Sequence, residues 1–441
     1  MTDDTPRGIP HSSRRSRRRR AVSTVAIASA AALLLAGCAA PAGEGDVVTL
    51  DFFQFKGEAL GDFDEIIADF EAENPDIRVV QNLVPDADTA IRTLLVKNKT
   101  PDVITLNGSG YFGQLARAGV FHDFTGDPLV EEVNPAVQEI LADLGTFNGD
   151  EINSLGYVSN ADGIIYNREI FAEQGLEPPT TWDELIDVCE QLQAAGITPF
   201  YGTLSDAWTA MPAFNGIGAY EAEGGFFDEL RAQGTEVGPE SPVSFEKDFP
   251  DTLDRLQELY SFAQEGYRGR GYDDGNPAFA NGESAMYLQG VWALAPILDN
   301  NPDFDAGVFP YPTDDPADRK LVSGVDVTVT IGRDTDKFDA ARRFVEYLFQ
   351  PDVMDAFAAS QNMFSAHVDA APTENPALSE LQPFIDEGQI TGFIDHQIPP
   401  AVPLVPTIQQ FLLDGDADGA LATLDNEWRK VAARTITVSG D

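Results

Sequence analysis

From about residue 46 onward, the apolar positions switch between two periods. Residues 47–53 read as a strand. Phe63, Ile66, Ile67 and Phe70 then recur at helical spacing, with Asp62 and Glu65 set as a capping box, and Pro75 ends that helix. Residues 77–80 form a second predicted strand, Ile91, Leu94 and Leu95 mark a second helix, and residues 102–106 make an apolar strand after Pro101. The order β-α-β-α-β predicts a parallel sheet covered by helices, and so a doubly wound α/β domain.

The clearest helix spans residues 181–195. Pro178 and Pro179 precede it, Thr181 and Glu184 form a capping box, and Gly196 stops it. Trp182, Leu185, Ile186, Cys189 and Leu192 share one face, so Trp182 is expected in the core and Cys189 is expected to be a buried thiol. Later helices are marked by Phe338, Ala341, Phe344, Val345 and Leu348, and by Leu421, Leu424, Trp428 and Val431, which makes Trp428 a core residue too. No internal repeat or long low-complexity linker divides the chain. Roughly 400 residues exceed what one core holds, so two domains are expected, with a chain that crosses between them more than once.

The first 37 residues have a different pattern. Arginines at 14, 15 and 17–20 precede an uncharged apolar stretch at 21–36 and then Leu35-Ala36-Gly37-Cys38. A positive region, a short apolar run and a small-residue site describe a cleaved signal peptide. Sixteen residues fall short of the roughly 20 that span a bilayer. The ending resembles the bacterial lipobox, which implies that Cys38 is acylated and becomes the new N-terminus. Residues 38–45 then form a small, flexible tether.

The formal charge is −45. Residues 1–37 carry seven Arg and two Asp, so removing them leaves −50. Such a surface repels nucleic acid and anionic headgroups. With 43% hydrophobic and 10% aromatic residues, the chain still has the makings of a large core. Cys189 is the only cysteine after Cys38, so no intramolecular disulfide is expected.

Several segments in order resemble the family 1 extracellular solute-binding proteins, the maltose-binding-protein type that feeds sugars to ABC importers. They are Pro101-Asp102-Val103-Ile104, Ala116-Arg117-Ala118-Gly119-Val120-Phe121, Gly163-Ile164-Ile165-Tyr166-Asn167-Arg168-Glu169-Ile170-Phe171, and Gly175-Leu176-Glu177-Pro178-Pro179-Thr180-Thr181-Trp182-Asp183-Glu184-Leu185. Gly196-Ile197-Thr198-Pro199-Phe200, Phe279-Ala280-Asn281-Gly282-Glu283-Ser284-Ala285-Met286 and Gly290-Val291-Trp292-Ala293 continue the series. The resemblance implies two doubly wound α/β domains joined by hinge crossovers, a class II periplasmic-binding-protein-like fold, with ligand in the cleft between them. By position, one domain takes residues 46–155 and 305–362, and the other takes 156–304 and 363–441. Where the family has a Gly-x-x-Pro turn, this chain has Asn362-Met363-Phe364-Ser365. Asn is able to take the left-handed conformation that Gly would.

A sugar needs hydrogen-bonding groups for its hydroxyls and aromatic rings for its C–H faces. In open α/β sheets the loops outside the carboxyl ends of the strands are the places to find them. After the first strand come Phe53 and Phe55, and after the Pro101 strand come Asn107 and Tyr111. Tyr157, Asn160 and Asp162 precede the Tyr166-Asn167 segment, where the resembled family crosses into its second domain. Trp208 sits in a polar loop, Trp292 lies where the family commonly stacks a sugar ring, and Gly324 with Asp326 resembles its glycine segment that lets backbone approach the ligand. Gly108-Ser109-Gly110 lacks the spacing of a nucleophile elbow, and no phosphate loop is present. Asp414, Asp416, Asp418, Gly419, Leu421 and Asp425 fall on positions of an EF-hand-like loop, but the family has only a helix-to-helix turn here, and no metal site is assigned.

The expected function is therefore an extracytoplasmic lipoprotein that binds a mono- or oligosaccharide and presents it to the transmembrane subunits of an ABC permease. It is expected to be a monomer without cofactor, held by its lipid to the outer face of the cell membrane. The alternatives are a secreted glycoside hydrolase using two carboxylates, or a receptor for a cationic or peptide solute. His122, His367 and His396 are the only histidines after the leader, and none lies in a recognisable catalytic or metal-binding motif, so no enzymatic activity is expected.

Overall fold

The computed structural model describes residues 47–84, 87–97 and 99–434. The leader, Cys38 and the tether lie outside them. β1 (Val48–Gln54) pairs in parallel with β2 (Ile77–Leu83) and with β3 (Val103–Leu106), the α/β start that the periodicity predicts. β4 (Leu155–Asn167), β5 (Phe200–Tyr201), β6 (Met286–Gly290), β7 (Ala306–Phe309) and β8 (Leu321–Ile331) follow, with short strands β9 (Phe364–Ser365) and β10 (Ile390–Thr391) at the end. The sheet order is β2-β1-β3-β8-β4-β6-β5, with β7 and β9 on β4 and β10 on β8.

Two long strands carry the organisation. β4 pairs antiparallel with β8 over residues 155–161, then with β6 and β7 over residues 162–167. Its thirteen residues are all buried, so it reads as one continuous central strand. The buried apolar side chains nonetheless form separate cores on either side of its midpoint. One core draws on residues 50–158 and 325–366, and the other two draw on residues 161–322 and 364–428. The fold is thus two α/β lobes with one sheet running through both. Residues 306–311, on the first-domain side of the boundary expected at 305, pack with the second lobe because β7 hydrogen-bonds to the second half of β4.

The helix Trp182–Ala194 is capped as its sequence predicts: Thr181 Oγ1 accepts the N–H of Glu184 at 3.3 Å, and the Glu184 carboxylate accepts the N–H of Thr181 at 3.2 Å. The Asp62–Glu65 box does not form. The 3-10 turn Gly57–Ala59 runs straight into the helix Leu60–Glu73, so Asp62 lies within its first turn. Its carboxylate instead accepts from Ser360 Oγ at 3.1 Å and Gln361 Nε2 at 2.6 Å. Asn362 has φ of 52°, the left-handed turn expected of it. Trp182 and Trp428 are core residues, and Cys189 is fully buried. Among the described residues no helix is long and apolar enough to cross a membrane.

In the acidic turn near the C-terminus, Asp416 Oδ1 accepts the N–H of Gly419 at 3.0 Å, between the helices Leu404–Asp414 and Ala417–Arg434. Asp425 faces away, accepting the N–H groups of Phe245 and Glu246 at 2.8 and 3.3 Å. The geometry is that of a helix-to-helix turn.

Candidate functional site

The two lobes meet where β4 and β8 cross between the cores. Asn160 lies opposite Gly324 in the ladder, and Asp162 lies opposite Gly290 of β6. Alternation along the strands puts Asn160 and Asp162 on one face, with Gly324 and Asp326 beside them. Asn160 Nδ2 donates to Asp326 Oδ1 at 2.9 Å, and Asn107 Nδ2 donates to the Asp326 carbonyl at 3.3 Å. Lys56 Nζ lies 2.8 Å from Asp326 Oδ2, with both side chains nearly buried. The carboxyl ends of β1 and β3 thus deliver Lys56 and Asn107 to the crossing. Gly324 lies within the continuous buried strand Leu321–Ile331. A Cβ there would stand 2.4 Å from the ring of Phe393, so glycine is what lets that ring pack onto the strand.

Asp162 is 1% exposed. Burial pushes its carboxyl well above the usual carboxylate range, and the nearby Asp395 charge adds to the rise, while the Asn215 amide offsets part of it. Asn215 Oδ1 accepts the N–H of Asp395 at 3.1 Å. Tyr311, raised by burial first and the Asp162 charge second, has a buried hydroxyl without a partner among the described residues.

In the second lobe, β5 and β6 run parallel; Trp292 lies in the 3-10 turn Val291–Ala293 directly after β6, and Trp208 in the 3-10 turn Ala207–Ala210 beyond the loop that follows β5. Trp208 is 40% exposed, with its ring 5.0 Å from that of Tyr272. Trp292 is half-buried against both second-lobe cores and folds over Gly290, where a Cβ would meet its ring at 2.1 Å.

The remaining predicted residues do not join this group. Phe53 is buried in the first core, because helices cover both faces of the parallel strands and take up the aromatic at the strand end. Tyr157 is fully buried, with its ring 5.2 Å from Phe357 and 5.6 Å from Phe349. Tyr111 accepts from Arg92 Nε at 3.1 Å beneath that guanidinium, and Phe55 packs on the same core. Conversely, Lys56, Asn215, Tyr311 and Asp395 belong to the site without having been singled out. Asn215 left a trace as the one polar residue in Met211-Pro212-Ala213-Phe214-Asn215-Gly216-Ile217-Gly218.

Residues 57–355 match the profile of the bacterial extracellular solute-binding proteins. The chain is 28% identical over 343 residues to the multiple sugar-binding protein of Streptococcus mutans, covering 76% of this chain and 80% of that protein. It is 23% identical over 344 residues to the sn-glycerol-3-phosphate-binding periplasmic protein UgpB of Escherichia coli O1:K1 / APEC, covering 73% and 75% respectively. Its fold is similar to apo RafE from Streptococcus pneumoniae, with a TM-score of 0.77 at 27% identity over 88% of this chain and 99% of RafE. For RafE in complex with raffinose the TM-score is 0.72 at 27% identity, over 87% and 100%.

Proposed function

Because the chain belongs to the bacterial extracellular solute-binding proteins, we propose that it is the receptor of an ABC importer that takes a sugar or oligosaccharide between its lobes and delivers it to the permease. The observation that carries this reading is the polar row at the crossing of β4 and β8, Asn107, Asn160, Asp162 and Asp326, set between two otherwise apolar cores. Neutral amides and carboxylates suit hydroxyl groups, which both donate and accept. Trp208 and Trp292, in the 3-10 turns that come after β5 and β6, offer ring faces to the sugar's C–H surfaces.

The charge pattern separates the solute classes that the relatives bind. A phosphorylated solute wants unspent cations, and in this row Lys56 is engaged by Asp326. A neutral saccharide, such as the raffinose held by RafE, fits better than a glycerol phosphate. We place the lobe crossovers on β4 near residues 158–161, on β8 near 322–325 and on the chain near 363–366, where the core memberships change. Differential affinity for a closed arrangement about those points would drive capture.

The protein acts by binding alone, as a monomer, anchored through a lipid on Cys38. One lipid chain gives only marginal membrane binding, so retention rests on the multiple acylation that the lipobox implies. Calorimetric titration of the mature protein with raffinose, followed by analysis of the recovered sugar, tests the reading against a glycoside hydrolase. Saturable heat with intact sugar supports a receptor, and cleaved sugar overturns it.

A further inference from the structure

Apart from the polar row, a cavity of about 420 Å³ opens where the chain leaves the first core after the helix Pro351–Ser360. Small-molecule pockets run from roughly 300 to 1,000 Å³ and favour the junctions between domains. The walls of this one come from both lobes: Ala358 and Met363 belong to the first core, and Phe364 and Leu378 belong to a second-lobe core. None of the polar row, and neither Trp208 nor Trp292, lines it.

The left-handed turn at Asn362 shapes one wall. Asn362 Oδ1 accepts Asn375 Nδ2 at 3.0 Å, and Asn375 Oδ1 in turn accepts the N–H of Ala377 at 2.9 Å, capping the helix Pro376–Ser379. Asp355 brings charge to the wall. Its Oδ2 accepts the N–H of Ala371 at 3.0 Å, while its Oδ1 is buried without a hydrogen bond among the described residues. Glu374 adds a second, exposed carboxylate. No Lys or Arg lines the cavity, and the chain has none between Arg343 and Arg429. Arg168 reaches the nearby Pro376 carbonyl at 3.0 Å, but its charge is spent on Asp305 and Glu380.

A buried acceptor without a donor is costly, and a carboxylate without a cation beside it more so. A divalent metal ion calls for several carboxylates or carbonyls converging at one point, whereas here one carboxylate stands in a wall that is otherwise amide and hydrocarbon. An ammonium group has three donors and no acceptor, so it answers acceptors alone, and a hydrocarbon chain attached to it answers the apolar walls. We propose that this cavity is a second binding site, for a small primary alkylammonium compound, with its N–H groups donating to the Asp355 carboxylate and its chain lying along Met363, Phe364 and Leu378. Such a ligand touches both lobes without entering the cleft.

NMR of the mature protein carrying 13C-methyl methionine tests this, with pentylammonium as the probe and pentanol as its uncharged counterpart, at about 0.15 M salt to screen the acidic surface. The Met363 signal, identified by its loss in Met363→Leu, should shift saturably with pentylammonium, while those of Met211 and Met286, in a second-lobe core, should stay. Asp355→Asn keeps an acceptor for Ala371 but loses the charge, and should weaken binding about tenfold or more, as loss of a charge-assisted hydrogen bond implies. Ala371→Leu narrows the cavity without touching the charge and should weaken binding too. A Met363 signal that does not shift saturably overturns the proposal, as does equal affinity for pentanol or unchanged affinity in Asp355→Asn. If Asp355→Asn does not fold, the pentanol comparison and Ala371→Leu decide.

Discussion

At the scale of single residues, the Lys56–Asp326 pair shows how the site is held together. Both side chains are nearly buried, and Asn160 supplies the second contact to the same carboxylate. Lys56→Met leaves that carboxylate buried without its cation, a change that typically costs about 3–5 kcal/mol. The variant should therefore unfold at clearly lower urea concentration than the wild type, and an unchanged midpoint would show that the pair contributes nothing. Asn160, Asp162 and Asp326 were singled out in the sequence through segments that resemble the family, the first two before Tyr166-Asn167 and the third beside Gly324. Lys56 was not, because its partner lies 270 residues away and a Lys beside Gly57 and Glu58 reads as a solvated loop. Phe53 and Tyr157 misled for the opposite reason. An aromatic at the end of a strand reads alike whether it faces a cleft or a core, and only the packing of Phe349 and Phe357 on Tyr157 distinguishes them.

At the scale of elements, local chemistry was legible wherever the pattern closes on itself. The box at Thr181 and Glu184 needs nothing beyond four consecutive residues and forms as read. Thr181→Ala should cost about 1 kcal/mol of stability, within a range of roughly 0.5–2, measured by urea unfolding with an unchanged m-value. A full loss of the folded state would mean that Thr181 does more than cap. The box at Asp62 and Glu65 has the same signature yet fails, because the preceding 3-10 turn changes where the helix begins and Ser360 and Gln361 compete for the carboxylate. Asn362 lies between these cases. Its left-handed φ was foreseeable from residue type alone, whereas its contact, Asn375 Nδ2 to Asn362 Oδ1 at 3.0 Å, was not.

At the scale of the whole molecule, periodicity pointed to an α/β fold and chain length to two domains, but neither showed that one sheet runs through both. β4 and β8 are each long enough to serve two cores, and a strand buried along its whole length carries no mark of where one core ends. The same strands carry the polar row, so in the proposed reading recognition and hinge share residues. The proposed anchor would be separable from both: Cys38→Ser should release the protein into the medium with sugar affinity unchanged, and retention at the membrane would refute acylation there. The central claim, that the cleft binds a neutral sugar without altering it, is tested most directly by isothermal titration calorimetry of the mature protein against raffinose and a panel of neutral oligosaccharides, alongside Trp292→Ala. The account predicts saturable one-to-one binding to at least one of these sugars, weakened about tenfold or more in the variant by loss of the stacking ring. No binding to any neutral saccharide, or full affinity without Trp292, would contradict it.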